Sequence, residues 1–222
     1  DIWDKEFDKK GFRTKDRPIA SKKISVTLAS FYAVTLCFLA LLILLNFNQY
    51  TIILALGSMP LAFTYPLMKR FTYWPQLFLG ITFNYGLILG WTATKGQLDL
   101  VAIIFYIGAI FWTLGYDTIY GYQDIIDDEI IGLKSTSIKF KNKPNILLFS
   151  CYSIFLISLL IVGYSMSLNK ISFAIFLLIV LQMFYFQLRK LNIEIPSNCL
   201  KIFKSNNFLG LMVLLGLIIG KI

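Results

Sequence analysis

The chain has 222 residues, 57% of them apolar, with a mean hydropathy of +0.70. A soluble globular domain carries about 45 to 50% apolar residues, so this composition excludes an ordinary soluble domain. The net charge is +9, and there is no histidine, which removes imidazole acid–base chemistry and the commonest transition-metal ligand.

Residues 1 to 23 are polar and begin with an acid. Asp1, Asp4 and Asp8, spaced 3 and 4, fall on one face of a helix. Read alone, they describe either a solvated amphipathic helix paired with its own lysines or one half of a cation site. Gly11, Arg13, Arg17 and Pro18 follow as a basic loop.

Seven apolar runs then approach the ~20 residues needed to span a bilayer, at about 24 to 45, 51 to 67, 75 to 94, 99 to 121, 145 to 166, 171 to 188 and 203 to 220. None alternates apolar and polar residues, so a barrel is excluded and an all-α polytopic membrane bundle is expected, with residues 1–222 as one domain. Of the 21 Lys and Arg, 18 fall in residues 1 to 23, 68 to 74, 122 to 144 and 189 to 204, which are alternate connections. The positive charge therefore reads as topology rather than a nucleic-acid surface, and it places those connections on the cytoplasmic side.

Between the second and third runs, Pro66 is expected to kink the chain and Pro75 to open the next helix. Lys69 and Arg70 lie there as helix anchors or as an anion site, where Arg offers a planar fork. In the third run, Gly86 and Gly90 suggest close helix packing, and Asn84 is polar enough to line a cavity.

The fourth run ends in five acids, Asp117, Asp124, Asp127, Asp128 and Glu129. A carboxylate at membrane depth costs roughly 2.5 to 3.5 kcal/mol on the mildest scale, so such a cluster implies a wet cavity, a partner charge or a metal. Asp117, Tyr120, Asp124 and Asp128 follow spacings of 3, 4 and 4, which on one continuous helix makes a single ladder of oxygens. Asp124 with Asp128 repeats the geometry of Asp4 with Asp8. Mg²⁺ needs few protein ligands, so each pair suits half of a magnesium site. Lys134, Ser135 and Thr136 come next as phosphate-contact types, with Lys134 suited to a diphosphate. Residues 145 to 222 read as scaffold. Cys37, Cys151 and Cys199 have no C-x-x-C spacing and are expected to be unpaired, facing lipid or core.

Two motifs carry a family resemblance. Asp1, Asp4 and Asp8 followed by Arg13, Thr14, Arg17 and Pro18 fit N-D-x-x-D-x-x-x-D and R-T-x-x-R-P without the leading Asn. Asp117, Tyr120, Asp124 and Asp128, followed by Gly132, Lys134, Ser135 and Thr136, fit D-x-x-Y-x-x-x-D-x-x-x-D and G-x-K-S-T. In these the chain resembles the UbiA-type polyprenyltransferases. The Trp3, Arg17 to Ser21, Tyr65 to Arg70 and Trp74 to Gln76 stretches look most like the branch acting on 4-hydroxybenzoate. Gly11, Phe12 and Lys22 depart from the family pattern.

The resemblance implies Mg²⁺-dependent transfer of a polyprenyl group from polyprenyl diphosphate to the ring of 4-hydroxybenzoate, in ubiquinone biosynthesis. It implies an inner membrane, mitochondrial in a eukaryote. Asp4, Asp8, Asp124 and Asp128, with Asp1 and Asp117, would hold the metal. Arg13, Arg17, Lys69 and Lys134 would face diphosphate, Arg70 the acceptor carboxylate, and Asn84 and Tyr120 the substrate cavity. The family usually has nine spans, so the chain is expected to lack one or two N-terminal helices and to be inactive alone. Another aromatic acceptor, or a cation-coupled transporter, are the alternatives.

Overall fold

The computed structural model describes residues 2 to 11 and 14 to 222, and every regular element in them is helical. Asp1 and Arg13, both expected to serve the site, lie outside the described residues. Short α1 (Lys5–Asp8) precedes α2 (Val26–Leu44) and α3 (Gln49–Thr64), which leads through a 3-10 turn into α4 (Met68–Phe71). After these come α5 (Pro75–Phe83), α6 (Tyr85–Lys95), α7 (Leu100–Gly121), α8 (Ile125–Ile131), α9 (Thr136–Lys139), α10 (Pro144–Ser165), α11 (Lys170–Val180) and α12 (Pro196–Ile219). Seven stretches are long and apolar enough to cross a membrane: α2, Gln49–Phe71, Pro75–Lys95, α7, α10, Lys170–Leu188 and α12.

The starts and breaks have local causes. Ser25, Asn48 and Asn169 cap α2, α3 and α11 by accepting backbone N–H groups that have no partner within the helix. Asn48 also donates to the Thr92 carbonyl at 2.9 Å, tying α3 to α6. At Pro66 the chain tightens into the 3-10 turn Tyr65–Leu67 rather than merely kinking. The third span breaks at Asn84, whose amide donates to the Gly80 and Ala109 carbonyls and to Thr113 Oγ1 at 2.7 Å. Asn84 is therefore a clamp between α5 and α7 and is not among the residues lining the pocket, contrary to the cavity role expected of it.

The core lies off-centre, among α7, α10, α11 and α12, while α2 contributes no buried residue. The backbones of α7 and α10 approach closely at Gly108 and Gly115. A Cβ on Gly108 would fall 2.5 Å from Ser158 Cβ, and one on Gly115 would fall 2.9 Å from the Tyr152 ring. Gly86 and Gly90, which the sequence offers for the same purpose, face open space.

A polar network ties four helical segments together inside this apolar bundle. Tyr152 donates to Gln187 Oε1 at 2.5 Å, and Gln187 Nε2 donates to Ser205 Oγ and to Asn206 Oδ1. Trp112 Nε1 donates to the same Asn206 oxygen at 2.9 Å. Gln187 sits in the π-helical stretch Leu181–Leu188, where the wider turn replaces the α-helical register. The last span starts at Pro196 rather than near residue 203, because Pro196 opens the helix at its first position and the polar turns that follow, with Lys201 outward, are helical without being apolar.

Candidate active site

The ends of three basic connections enclose one pocket of about 420 Å³. The N-terminal segment supplies Asp4, Phe7, Asp8, Thr14 and Arg17, and the second connection supplies Tyr65, Pro66, Lys69, Pro75 and Gln76. The end of α7 and the connection after it supply Asp117, Tyr120, Asp124, Asp127, Asp128, Lys134 and Ser135. Both acidic segments, more than 100 residues apart in sequence, thus open on the same space.

The ladder from Asp117 to Asp128 is not on one helix. The fourth span ends at Gly121, and Asp124 stands at the N-cap of a separate helix, α8. The 3-4-4 spacing continues across a turn stabilised by the Tyr122 and Gln123 N–H groups, which donate to Ile119 and Tyr120 carbonyls. Asp124, Asp127 and Asp128 then lie at the N-terminal end of α8, where a helix favours negative charge. Asp127 lines the pocket as well, although sequence reasoning left it out. Its spacing of three from Asp124, one helical turn, was the available signal.

The N-terminal acids are nearly buried, Asp4 at 8% and Asp8 at 4% exposure, and both are ion-paired. Lys69 Nζ lies 2.7 Å from Asp4 Oδ2, and Arg70 Nη2 lies 3.3 Å from Asp4 Oδ1. Arg17 Nη1 spans both Asp8 oxygens at 3.0 and 3.1 Å. Arg70 also donates to the Trp3 carbonyl at 2.7 Å and packs over the Phe7 ring. That side chain is committed to α1 and is not among the residues lining the pocket, whereas the sequence reading sets it against the acceptor's carboxylate.

The Lys134 to Thr136 segment is fastened from below. The Lys134 N–H donates to the Lys69 carbonyl at 2.8 Å, and its Nζ reaches the Phe71 carbonyl at 3.3 Å. Ser135 Oγ accepts the Ile138 N–H as the cap of α9, and Thr136 shares its hydroxyl with Thr118 at 2.6 Å. Of the three phosphate-contact types, Thr136 is thereby spent on structure and is not part of the lining. Gln76, 7% exposed, accepts the Thr136 N–H on Oε1 at 3.0 Å. The W-P-Q stretch was visible in the sequence, but nothing there marked Gln76 as a site residue.

Among the described residues, six carboxylates and three cations, Arg17, Lys69 and Lys134, line the pocket, so the described acids outnumber the described cations. No three carboxylates among the described residues converge tightly enough to cage an ion. That donor set fits Mg²⁺, which is bound through one or two carboxylates plus water and substrate phosphate rather than an all-protein cage. Asp4 and Asp8 on one wall and Asp124, Asp127 and Asp128 on the other are the residues that would hold it.

Comparison with known proteins agrees with this architecture. The family model described as the UbiA prenyltransferase family matches residues 1–212. The 4-hydroxybenzoate polyprenyltransferase of human mitochondria is 43% identical over 225 residues, covering all of this chain and 60% of that protein. The Drosophila melanogaster mitochondrial counterpart is 40% identical over 221 residues, covering 99% of this chain and 56% of that protein. A 4-hydroxybenzoate geranyltransferase of Lithospermum erythrorhizon is 37% identical, covering all of this chain and 72% of that protein. The chain thus spans little more than half the length of the animal relatives it matches. In fold, it superposes on the apo structure of a UbiA homologue from Aeropyrum pernix K1 with a TM-score of 0.81, covering 100% of this chain and 82% of the other at 20% identity. With a family match across nearly its whole length and a helical bundle that superposes on a solved UbiA homologue, the chain belongs to the UbiA prenyltransferase family.

Proposed function

We propose that the chain carries the site for transferring a polyprenyl group from polyprenyl diphosphate to the ring carbon ortho to the hydroxyl of 4-hydroxybenzoate, with Mg²⁺ and release of diphosphate. The observation that carries this reading is the meeting of two carboxylate segments and three cations in one pocket at the end of the bundle. Relatives of about 40% identity named for that acceptor supply the substrate.

The chemistry asks for an anion to be held and its departure stabilised. The allylic C–O bond breaks with its electron pair leaving on diphosphate, the ring's π electrons form the new C–C bond, and the ring carbon then loses its proton. Bound Mg²⁺ supplies charge neutralisation to the leaving oxygens. Lys69 and Arg17, already on Asp4 and Asp8, stand where they can share those oxygens, and Lys134 adds a third cation from the opposite wall. Tyr65, Leu79 and Tyr120 furnish a wall against water, which protects an allylic cation from hydrolysis.

The basic connections would lie on the cytoplasmic or matrix side of an inner membrane. Membranes carrying the protein, incubated with 4-hydroxybenzoate, Mg²⁺ and isoprenyl diphosphates of several lengths, should yield the 3-prenyl product. Prenylation of another aromatic acid, with none of 4-hydroxybenzoate, would reassign the acceptor. A transporter would instead move substrate without consuming it.

A further inference from the structure

We propose that Gln76 is a substrate-binding residue, a fixed neutral donor that grips one substrate oxygen in the pocket. The inference rests on the proposed transfer reaction and adds to it a contact that no charged residue supplies. An amide can be turned either way in a structure, and its partners decide which end is oxygen. Here the partner is the backbone N–H of Thr136, which can only donate, so Oε1 must face it and the NH₂ must face away. Thr136 is itself held by its hydroxyl contact with Thr118, so the anchor is rigid.

The NH₂ end lies at the pocket wall. Gln76 lines the pocket with Gly121, and a Cβ on Gly121 would come within 3.4 Å of Gln76 Nε2. A Cβ there would collide first with Ser137 Oγ, so the glycine makes room for the buried Ser137, while Nε2 is not one of the fully buried side-chain atoms that lack a partner and keeps an accessible face. Nε2 has no protein acceptor among the described residues, although the residue is 7% exposed. Gln187, the other buried glutamine, spends both ends of its amide on protein partners. A fixed donor that opens on a pocket and has no protein partner is available to an oxygen of what binds there.

The ligand chemistry is an oxygen with a free lone pair. It belongs either to the diphosphate or to the hydroxyl or carboxylate of the aromatic acceptor, and binding of each can be read separately. Gln76→Glu keeps an oxygen for the Thr136 N–H and removes the donor. Gln76→Met removes both without adding charge. For the purified protein with Mg²⁺, Kd is measured for geranyl diphosphate and for 4-hydroxybenzoate, with Tm beside it.

The expected result is a rise in Kd of about tenfold for one and the same probe in both variants, the other changing less than about threefold, and a Tm near the parent's in Gln76→Glu. The probe affected names the source of the oxygen. Three results would overturn the assignment: parental affinities in Gln76→Met, which would make any loss in Gln76→Glu a charge effect; parental affinities in Gln76→Glu, which would leave Gln76 only as the prop of Thr136; and equal weakening of both probes, which would mean a collapsed pocket. Failure of the parent itself to bind either probe would overturn the transfer reading and this contact with it, and that failure is visible before any variant is made.

Discussion

Arg70 Nη2 donates to the backbone carbonyl of Trp3 at 2.7 Å, joining the end of the second span to the segment that carries Asp4 and Asp8. The same guanidinium reaches Asp4 and covers the Phe7 ring, so three kinds of contact fix α1 over the pocket. Its Nε is buried without a hydrogen-bond partner among the described residues, so the guanidinium is held through Nη2 and its face over Phe7.

Arg70→Ala should therefore act through the carboxylates. Losing a charge-assisted bond costs about 1.5 to 3 kcal/mol, so turnover should drop roughly 10- to 100-fold, with the KM of the diphosphate rising at least as much as that of the acceptor. Arg70→Lys should recover only part, since an ammonium keeps the charge but loses the planar fork. Steady-state kinetics on both substrates decide it, and a rise confined to the acceptor's KM would return Arg70 to the acceptor carboxylate.

Asp124→Asn and Asp128→Asn should each abolish turnover while membrane insertion and Tm stay near the parent's. Neutralising an acid at the membrane edge eases its burial, whereas, on the proposed role of these acids as Mg²⁺ ligands, losing one would stop the reaction. Chelation by EDTA should give the same loss in the parent and be reversed by added Mg²⁺. Activity within a few-fold of the parent in either variant would remove that residue from the ligand set.

The spans were legible because each apolar run near 20 residues permits little besides a membrane helix, and the alternate basic connections fixed which ends face together. What escaped were relations between distant residues. Asn84 meets Thr113 across 29 positions and Arg70 meets Trp3 across 67, and no local pattern distinguishes those partners from cavity contacts. The break between α7 and α8 was invisible for another reason: a turn that preserves a 3-4-4 spacing leaves the pattern of acids unchanged. Gly86 and Gly115 look alike as residues, and only the facing helix makes one of them a close contact.

The Tyr152, Gln187 and Asn206 network should be a stability determinant remote from the chemistry. Tyr152→Phe strands a fully buried amide oxygen, and side-chain hydrogen bonds inside a membrane are worth about 0.6 to 1.7 kcal/mol. Gln187→Leu should cost more, because it strands the Tyr152 hydroxyl and removes a donor to Asn206. Both variants should lower Tm in detergent while substrate KM values stay within about twofold. A parental Tm in Gln187→Leu would mean that the surrounding helices repack without the network.

Asp127 offers the finest test of how the second wall of the pocket works. It lies between the two acids of the family motif's final pair and lines the same cavity, yet it stands outside that motif's spacing. If Asp124 and Asp128 are the direct ligands, Asp127 contributes chiefly charge, drawing the cation toward α8 through the field rather than through a bond. Charge at that range is worth on the order of 1 to 2 kcal/mol where water enters, so Asp127→Asn should raise the Mg²⁺ concentration for half-maximal activity about tenfold. At saturating Mg²⁺ its turnover should return to within a few-fold of the parent, which Asp124→Asn should not do at any concentration. A magnesium titration of the two variants side by side separates the roles: loss of turnover in Asp127→Asn that excess Mg²⁺ does not restore would make Asp127 a ligand in its own right.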